Sequence, residues 1–370
     1  MNKPTIEIRR SLLPLSWLYG MGVGLRNALF DRNILKQHTF DIPVICVGNL
    51  TVGGTGKTPH IEYLIRLLSP KFKVAVLSRG YKRKTKGFII VDADAKVHDV
   101  GDEPLQIKQK FPHVLVVVDK NRKAAIEKIM SIEKEERPDV ILLDDGFQHR
   151  YVKPSLSILL VDSNRPVFED KLLPAGLLRE SIHGKSRASI VLVTKCHPDM
   201  QPIDFRIYTN GLNLFAFQDL YFTSIDYGVI KPVFPELQQE RFALNDLRKK
   251  HVFLVAGIAS PKPLVDKLEH KTYNLYTSFF PDHHFFTEED ILSVKELMDS
   301  VEADDKIILT TEKDAVRFRG LTSLNDELKK QMYYIPIRVK FVEESDKELF
   351  NEKIYEHVRK YQTNSRLSER

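Results

Sequence analysis

Short runs of apolar residues recur along the chain and alternate with stretches whose apolar positions are spaced as in helices. These runs lie at 44–47, 74–77, 114–118, 140–143, 158–161 and 190–193. Strands that are apolar at every position are buried on both faces, as in a parallel sheet covered by helices. The alternation therefore predicts a doubly wound α/β layer with a parallel sheet.

The alternation weakens between residues 198 and 234, where prolines and aromatic residues are frequent, and then resumes. Further apolar runs follow at 253–256, 307–310 and 333–337, and a helical pattern follows at 343–361. Strands that alternate with helices in this part predict a second, smaller α/β unit. We expect the following division: a first domain over 1–215, a linker over 216–235, the smaller α/β domain over 236–345, and a C-terminal helix with a frayed polar tail over 346–370.

Composition is that of a soluble globular protein. The chain has 370 residues, of which 42% are hydrophobic and 29% charged, and this length allows two domains with sizeable cores. Its net charge of +6 suits an anionic partner such as a nucleotide, a nucleic acid or an acidic membrane surface. Cys46 and Cys196 are its two cysteines, which is too few for a disulfide framework and fits a reducing compartment.

An apolar segment with basic flanks lies near the N-terminus, at about 11–30. Pro14, three glycines and the early charges of Arg26 and Asp31 interrupt it, which argues against a membrane span. No convincing signal-peptide cleavage site follows it. Two interpretations stay open from the residues: an amphipathic helix at a membrane surface, or a helix packed against the domain.

A glycine-rich segment follows the first apolar run and leads into a helical pattern. It comprises Thr51, Val52, Gly53, Gly54, Thr55, Gly56, Lys57 and Thr58. In a strand–loop–helix setting, glycines let backbone N–H groups approach phosphate oxygens, and the helix N-terminus adds partial positive charge. Lys57 would reach the β- and γ-phosphates and Thr58 would hold Mg²⁺. Thr51 stands where the strict phosphate-loop pattern has glycine, and a plain glycine-rich turn is the alternative.

Two adjacent carboxylates, Asp144 and Asp145, end the apolar run at 140–143. In P-loop proteins a carboxylate at such a strand end helps to hold Mg²⁺ near the loop threonine. The alternative is a turn in which an aspartate precedes Gly146. His149 follows at the same predicted sheet edge, where open α/β sheets bind their ligands.

Asp102 and Glu103 lie between a glycine and a proline, and their spacing fits the start of a helix. Spacing alone favours a helix-capping role for Asp102 over a base for a substrate hydroxyl. A second candidate, His283, lies next to Asp282 in the second half of the chain and could form an acid/base pair or part of a polar turn. Glu312, Lys313, Asp314 and Arg317 fit either a solvated helix start or an anion contact.

Two further segments are candidates for contacts with anionic groups of a substrate. Arg79 begins a basic loop over 79–84, and Arg179 and Glu180 close a loop at 173–180. A solvated surface is the more common role of such residues.

The chain resembles the tetraacyldisaccharide 4'-kinase family, the lipid A 4'-kinases of Gram-negative bacteria. The matching segments run in order along nearly the whole chain, and the family also lacks the first loop glycine, so Thr51 fits it. They lie at 47–51, 53–59, 78–81, 101–104, 144–149, 173–176, 178–180, 256–258, 280–283 and 310–316.

The resemblance implies a P-loop kinase of two α/β domains that uses ATP and Mg²⁺. The γ-phosphate would pass to the 4'-hydroxyl of an acylated glucosamine disaccharide 1-phosphate at the cytoplasmic face of the inner membrane, and no nucleic acid would be bound. The family's N-terminal helix meets the bilayer, so the resemblance favours the interfacial interpretation of 11–30. It assigns the catalytic pair to Asp102 and His283, which overturns the capping preference, and it implies closure of the two domains.

The expected roles follow from this assignment. Backbone N–H groups from Val52 to Thr58 cradle the phosphates, Lys57 neutralises the transferred group, and Thr58 and Asp144 position Mg²⁺. Asp145 and Glu103 support the metal, and Asp102 accepts the hydroxyl proton while His283 tunes it. Arg79, Arg122, His149, Arg179 and Glu180 are expected on the substrate side.

Three other classes of P-loop protein fit the sequence less well. A regulatory GTPase reads guanine with Asn-Lys-x-Asp, whereas residues 194–197 read Thr-Lys-Cys-His. A membrane-recruited ATPase switch of the partitioning type carries a second loop lysine, where this chain has Val52. A kinase of a soluble small molecule is disfavoured by the apolar N-terminal segment.

Overall fold

Two sheets organise the computed structural model, which describes residues 6–321 and 324–368. The strands of the described residues are Val44–Asn49 (β1), Val74–Ser78 (β2), Ile89–Ile90 (β3), Leu115–Val118 (β4), Val140–Asp144 (β5), Leu156–Asp162 (β6), Ile190–Thr194 (β7), Asp219–Tyr227 (β8), Lys231–Pro232 (β9), His251–Ala256 (β10), Asn274–Phe279 (β11), Lys306–Thr311 (β12), Met332–Ile335 (β13) and Ile337–Phe341 (β14).

Helices alternate with these strands. They are Leu13–Asp31 (α1), Lys57–Leu68 (α2), Val97–Val100 (α3), Asp102–Lys110 (α4), Arg122–Met130 (α5), Pro202–Leu212 (α6), Lys262–Glu269 (α7), Glu288–Asp299 (α8), Glu312–Arg319 (α9), Asp326–Lys330 (α10) and Glu344–Ser368 (α11), with 3₁₀ turns at Arg10–Leu12, Ile182–Arg187 and Leu244–Lys249.

The larger sheet has nine strands in the order β14-β8-β7-β6-β1-β5-β2-β4-β3. The strands from β8 to β4 are parallel, and β14 and β3 are antiparallel edge strands. Residues of β1, β2 and β5 are buried along their whole length, as their continuous apolar runs predict. The doubly wound α/β class predicted from the sequence is confirmed.

The smaller sheet has five strands in the order β11-β10-β12-β13-β9, of which β9 is antiparallel to β13 and the others are parallel. Its core packs aromatic and aliphatic side chains of α8 and α9 against β10 and β12. Helix α9 also packs against α4 of the larger sheet, which joins the two halves of the chain.

The predicted linker over 216–235 is wrong. Residues 219–227 form β8, which pairs with β7 on one side and with β14 on the other. β14, at 337–341, thereby lies in the larger sheet and not with the smaller unit predicted over 236–345. This pairing buries four aromatic or hydroxyl residues, Tyr221, Phe222, Thr223 and Ser224. Aromatic and threonine residues favour strands, but they do not form the run of aliphatic residues from which the other strands were predicted. Helix α6 fills part of the weak region before β8.

The two ends of the chain also differ in detail from the predictions. The segment at about 11–30 forms a 3₁₀ turn and α1, which ends at Asp31. The frayed tail predicted at the C-terminus is helical as far as Ser368, because α11 continues through it, and residues 369–370 lie outside the described chain.

Candidate active site

The glycine-rich loop lies between β1 and the first turn of α2. Gly53 and Gly56 have φ angles of +102° and +88°, in the left-handed region that strongly favours glycine. Lys57 begins α2, and its Nζ lies 3.6 Å from Oδ1 of Asp145. Positive φ angles next to a helix N-terminus are typical of loops whose backbone N–H groups can bind an anion.

The first part of the loop is committed to other contacts. The Val52 N–H donates to the Leu177 carbonyl at 2.8 Å, and Thr51 forms an isolated bridge with Leu178. The expectation that the Val52 N–H binds phosphate is therefore wrong, because that donor is already used by the backbone. The predicted phosphate-binding segment is thereby shortened to residues 53–58.

His60, in the first turn of α2, is buried beneath the loop. Its Nδ1 lies 2.7 Å from the Gly56 carbonyl and its Nε2 lies 3.1 Å from Oγ1 of Thr223. A carbonyl only accepts, so Nδ1 carries the proton and Nε2 accepts from the threonine. Burial lowers the pKa of His60 to about 4, which keeps the ring neutral near pH 7.

This buried histidine should make stability depend on pH. The unfolded chain binds a proton at His60 near pH 6.5, whereas the folded chain does so only near pH 4, so stability falls as pH drops between these values. Between pH 7 and pH 5 the free energy of unfolding should fall by about 2 kcal/mol more in the parent protein than in His60→Asn. Urea unfolding at both pH values measures this difference, and equal pH dependence in the two proteins would contradict it.

Asp144 and Asp145 end β5 beside β1, as the sequence predicts. Asp144 Oδ2 accepts from the Ser78 hydroxyl at 3.1 Å, while its Oδ1 is buried and has no partner. Burial, reinforced by the charges of Glu103 and Asp145, raises the pKa of Asp144 to about 7. An unsatisfied carboxylate oxygen in this position fits a cation ligand, since Mg²⁺ is held by one or two carboxylates together with phosphates and water.

Asp145 has a different environment from its neighbour. Burial alone would raise its pKa, but Lys57 and Arg179 outweigh that effect and lower the pKa below its ordinary value. Nη1 of Arg179 donates to both carboxylate oxygens at 3.1 and 3.2 Å. Over residues 6–321 and 324–368, no group of three or more His, Cys, Asp or Glu side chains is arranged to hold a metal ion.

Asp102 is the first residue of α4, and its carboxylate faces the second half of the chain. Its Oδ1 accepts from the adjacent Glu103 N–H at 2.9 Å, and its Oδ2 lies 3.0 Å from Nδ1 of His283. Nη2 of Arg317, on α9, also contacts Oδ2. The capping interpretation of Asp102 is wrong, because Gly101 is the N-cap of α4 and the Asp102 carboxylate accepts only from the adjacent N–H, not from the second or third N–H of the helix as a cap does.

The surroundings of Asp102 keep it ionised. Burial would raise its pKa, but the hydrogen bond from His283 and the charges of Lys313 and Arg317 hold this pKa well below its usual range. Nζ of Lys313 lies 3.2 Å from Nε2 of His283 and 3.5 Å from Glu103. One tautomer of His283 satisfies both contacts. In it, Nδ1 carries the proton and donates to Asp102, and Nε2 accepts from Lys313.

The basic residues predicted on the substrate side differ in burial. Arg122 is buried with its Nε unpartnered, and its charge, with those of Arg26 and Arg79, lies close enough to His149 to affect that ring. Burial first, and these cations second, lower the pKa of His149 to about 4, so the ring is neutral near pH 7. Arg79 is exposed at the end of β2.

Glu180 does not face the site. Its side chain is buried, and its two oxygens accept from Arg187 at 2.8 Å each, from Asn27 at 3.1 Å and from Gln148 at 3.1 Å. The prediction that Glu180 contacts substrate is wrong, because this carboxylate is already saturated by groups that hold the loop in place.

Several site residues were missed or left undecided by the sequence. Arg317 and Lys313 could be solvated or functional, and the structure places both against Asp102. Ser78 and Asn49 were not singled out; Asn49 donates to Oγ1 of Thr55 at 3.0 Å and so supports the loop. One signal in the sequence could have identified Arg317. Asp314 and Arg317 are three positions apart, so they lie on one face of a helix, where an ion pair with Asp314 can hold the Arg317 side chain in place.

Comparison with known proteins identifies the family of the chain. The family model described as tetraacyldisaccharide-1-P 4'-kinase, LpxK, matches residues 8–358. Relatives named tetraacyldisaccharide 4'-kinase include one from Bacteroides thetaiotaomicron, 47% identical over 100% of this chain and 98% of the relative, and one from Parabacteroides distasonis, 48% identical over 96% of each.

A solved structure points the same way. A crystal structure of LpxK from Aquifex aeolicus in complex with ATP superposes with a TM-score of 0.72 at 30% sequence identity, and the match covers 95% of this chain and 99% of that one. With a family match over nearly its full length and relatives close to half identical, the chain belongs to the tetraacyldisaccharide-1-P 4'-kinase family.

Proposed function

We propose that this protein transfers the γ-phosphate of ATP to the 4'-hydroxyl of a tetraacylated glucosamine disaccharide 1-phosphate in lipid A biosynthesis. The observation that carries the proposal is the contact between Asp102 and His283, which come from opposite halves of a chain that also has a phosphate-binding loop. A kinase of an alcohol needs an acceptor for the hydroxyl proton beside the γ-phosphate, and this pair supplies one.

The roles of the residues follow from their contacts. N–H groups from Gly53 to Thr58 and the ammonium of Lys57 would hold the phosphates, and Thr58 with Asp144 would hold Mg²⁺, which would supply positive charge to neutralise the phosphates. Asp145, tied to Lys57 and Arg179, and Glu103, close enough to Asp144 to raise its pKa, support this centre. Asp102 accepts the hydroxyl proton, and His283 and Arg317 fix the orientation of its carboxylate.

Binding of the anionic acceptor is assigned to the basic residues around His149. Arg122 has an unpartnered buried Nε, and Arg79 is exposed beside it, so both can meet the phosphate of the substrate. Arg179 has a different role, because its guanidinium donates to Asp145 and so connects the proposed metal-binding residues with the loop at 173–180.

The two halves of the chain are proposed to close on the reactants. Arg317, Lys313 and Glu312 of α9 reach Asp102, Glu103 and Lys110 of α4, so the interface is an array of opposite charges. His283, from the segment between β11 and α8, reaches Asp102 at the same interface. Closure would therefore complete the catalytic pair and exclude water from it.

We further propose that α1 lies on the cytoplasmic face of the inner membrane. Its packed side makes polar contacts, such as that of the Ser16 hydroxyl to the Leu172 carbonyl at 3.0 Å and of the Tyr19 hydroxyl to the Arg179 carbonyl at 2.8 Å. Its exposed side is apolar, through Leu15, Trp17, Leu18, Met21 and Leu25. A helix with its apolar side outward suits a lipid interface. Among the described residues, no helix is both long and apolar enough to cross a bilayer.

Replacing two residues of this exposed side tests the membrane proposal. Trp17→Glu/Leu25→Glu should lower binding to vesicles of acidic phospholipid at least tenfold, because two side chains that would enter the interface become charged. The control is Tyr273→Glu, since Tyr273 is exposed to a similar degree, 67% against 72% for Trp17, but lies in the other half of the chain. Flotation of the double variant with vesicles at the parent's level would contradict the membrane proposal.

The transfer reaction is tested with γ-labelled ATP and purified protein. Label should appear in the acylated disaccharide 1-phosphate, and the product's mass and fragmentation should place the added phosphate on the 4' position. ATP hydrolysis without transfer would instead support a membrane-recruited ATPase switch, and label in a soluble acceptor alone would support a small-molecule kinase.

A further inference from the structure

Three consecutive carbonyl oxygens of the glycine-rich loop each accept a hydrogen bond from a side chain. Nζ of Lys195 donates to the Gly54 carbonyl, and Oγ1 of Thr194 donates to the Thr55 carbonyl at 2.9 Å. Nδ1 of His60 donates to the Gly56 carbonyl at 2.7 Å. We propose that these three side chains are positioning residues that hold the loop in its phosphate-binding shape before nucleotide arrives. This inference rests on the proposed location of ATP.

Peptide geometry connects the carbonyls with the phosphate donors. In a trans peptide the carbonyl and the following N–H point in opposite directions, so each fixed carbonyl also fixes the next amide. The bonds at Gly54, Thr55 and Gly56 thereby orient the N–H groups of Thr55, Gly56 and Lys57 toward the other side of the loop. Aligned N–H groups of this kind form the concave anion site of a phosphate loop.

Lys195, Thr194 and His60 are themselves fixed by contacts with the larger sheet. Thr194 ends β7 and is fully buried, and Nζ of Lys195 also lies 2.6 Å from Oδ2 of Asp162, at the end of β6. Nε2 of His60 accepts from Thr223 of β8. The carboxyl ends of β6 and β7 and the middle of β8 therefore support one side of the loop. Because the loop is already ordered, nucleotide binding does not have to supply the free energy of ordering it.

Residues 194–197 occupy the place of the Asn-Lys-x-Asp motif with which regulatory GTPases recognise guanine, but here they have a different role. The chain lacks the asparagine and the aspartate of that motif at 194 and 197, but keeps its lysine at 195. In this structure the lysine contacts the loop backbone and Asp162. Its φ of +57° lies in the left-handed region, which few residues other than glycine adopt.

The experiment compares Lys195→Met and Thr194→Val with the parent protein. Each removes one donor, so the dissociation constant of Mg-ATP should rise about five- to tenfold. In the nucleotide-free protein, amide hydrogen exchange over 53–58 should become faster. The KM for the lipid acceptor should change less than twofold, and Thr194→Ser should restore nucleotide affinity because it keeps the hydroxyl.

Matched controls separate this effect from a general loss of structure. Lys185 also donates to two carbonyls, those of Leu212 and Asn213, and Thr310 donates to the Val255 carbonyl at 2.8 Å at the end of a strand in the smaller sheet. Lys185→Met and Thr310→Val should leave nucleotide affinity and loop exchange unchanged. Lys195→Met keeps the test decisive if the buried Thr194→Val fails to fold, since Lys195 is partly exposed.

Two further outcomes would overturn the inference. One is parent-like Mg-ATP affinity and loop exchange in Lys195→Met, and the other is an equal shift in the two controls. Lys57→Met distinguishes failure of the inference from failure of the proposed site. Lost transfer in Lys57→Met together with parent-like Lys195→Met overturns only the inference, whereas parent-like transfer in Lys57→Met overturns the nucleotide site itself.

Discussion

Asp102→Asn should lower kcat for phosphate transfer by about 10³-fold while leaving Mg-ATP affinity nearly unchanged. The substitution keeps the shape of the side chain and its contact with the Glu103 N–H, but removes the charge that accepts the hydroxyl proton. It also removes the anion between His283 and Arg317. Steady-state transfer kinetics, with nucleotide binding measured separately, give both quantities.

Asp314→Asn is the matched control for this variant. Asp314 forms the other ion pair of Arg317, at 2.6 Å, and is buried in the smaller unit. Its loss should reduce stability through the same arginine but lower kcat less than tenfold, because it does not contact the reacting groups. An Asp102→Asn protein with kcat within tenfold of the parent would remove Asp102 from the mechanism.

Lys57→Met should lower kcat by roughly 10³-fold and also weaken ATP binding, since the ammonium neutralises charge on the transferred group. The fold should survive, because Asp145, the ion-pair partner of Lys57, keeps both contacts with Arg179. Transfer assays at saturating ATP separate the rate effect from the binding effect, and thermal unfolding checks the fold.

Lys123→Met provides the control for loss of a lysine near a helix start. Lys123 is the second residue of α5 and lies 3.6 Å from Glu127, the same separation as that between Lys57 and Asp145. Because it is far from the loop in sequence and partly exposed, its replacement should leave kcat unchanged. Equal activity losses in Lys57→Met and Lys123→Met would show that charge number alone, and not the position of Lys57, sets the rate.

Features that depend on neighbouring residues could be predicted from the sequence. The phosphate loop and Asp144 follow from a local pattern, an apolar strand followed by glycines or carboxylates. In the structure Val47 of β1 pairs with Asp144 of β5, which brings the two segments to one sheet edge. The rule that parallel strands present their carboxyl ends together was sufficient for that inference.

Features that depend on distant pairing could not be predicted in the same way. Arg317 meets Asp102 across 215 positions of sequence, and β8 becomes an inner strand only because β14 returns to it from beyond the smaller sheet. The amide of Val52 was assigned to phosphate because its sequence neighbours are glycines, yet the loop at 173–180 takes that donor. In each case the competing partner lies far along the chain, where periodicity carries no information.

In the proposed reaction the loop at 53–58 binds the terminal phosphate of ATP, and the Asp102 carboxylate hydrogen-bonds to the 4'-hydroxyl of the lipid sugar. The most direct test is a crystal structure of the protein with Mg²⁺, a non-hydrolysable ATP analogue and the acylated disaccharide 1-phosphate. The γ-phosphate should contact Lys57 and the loop amides, with the 4'-hydroxyl within hydrogen-bonding distance of the Asp102 carboxylate. A γ-phosphate bound elsewhere, or a 4'-hydroxyl that faces away from Asp102, would contradict the claim.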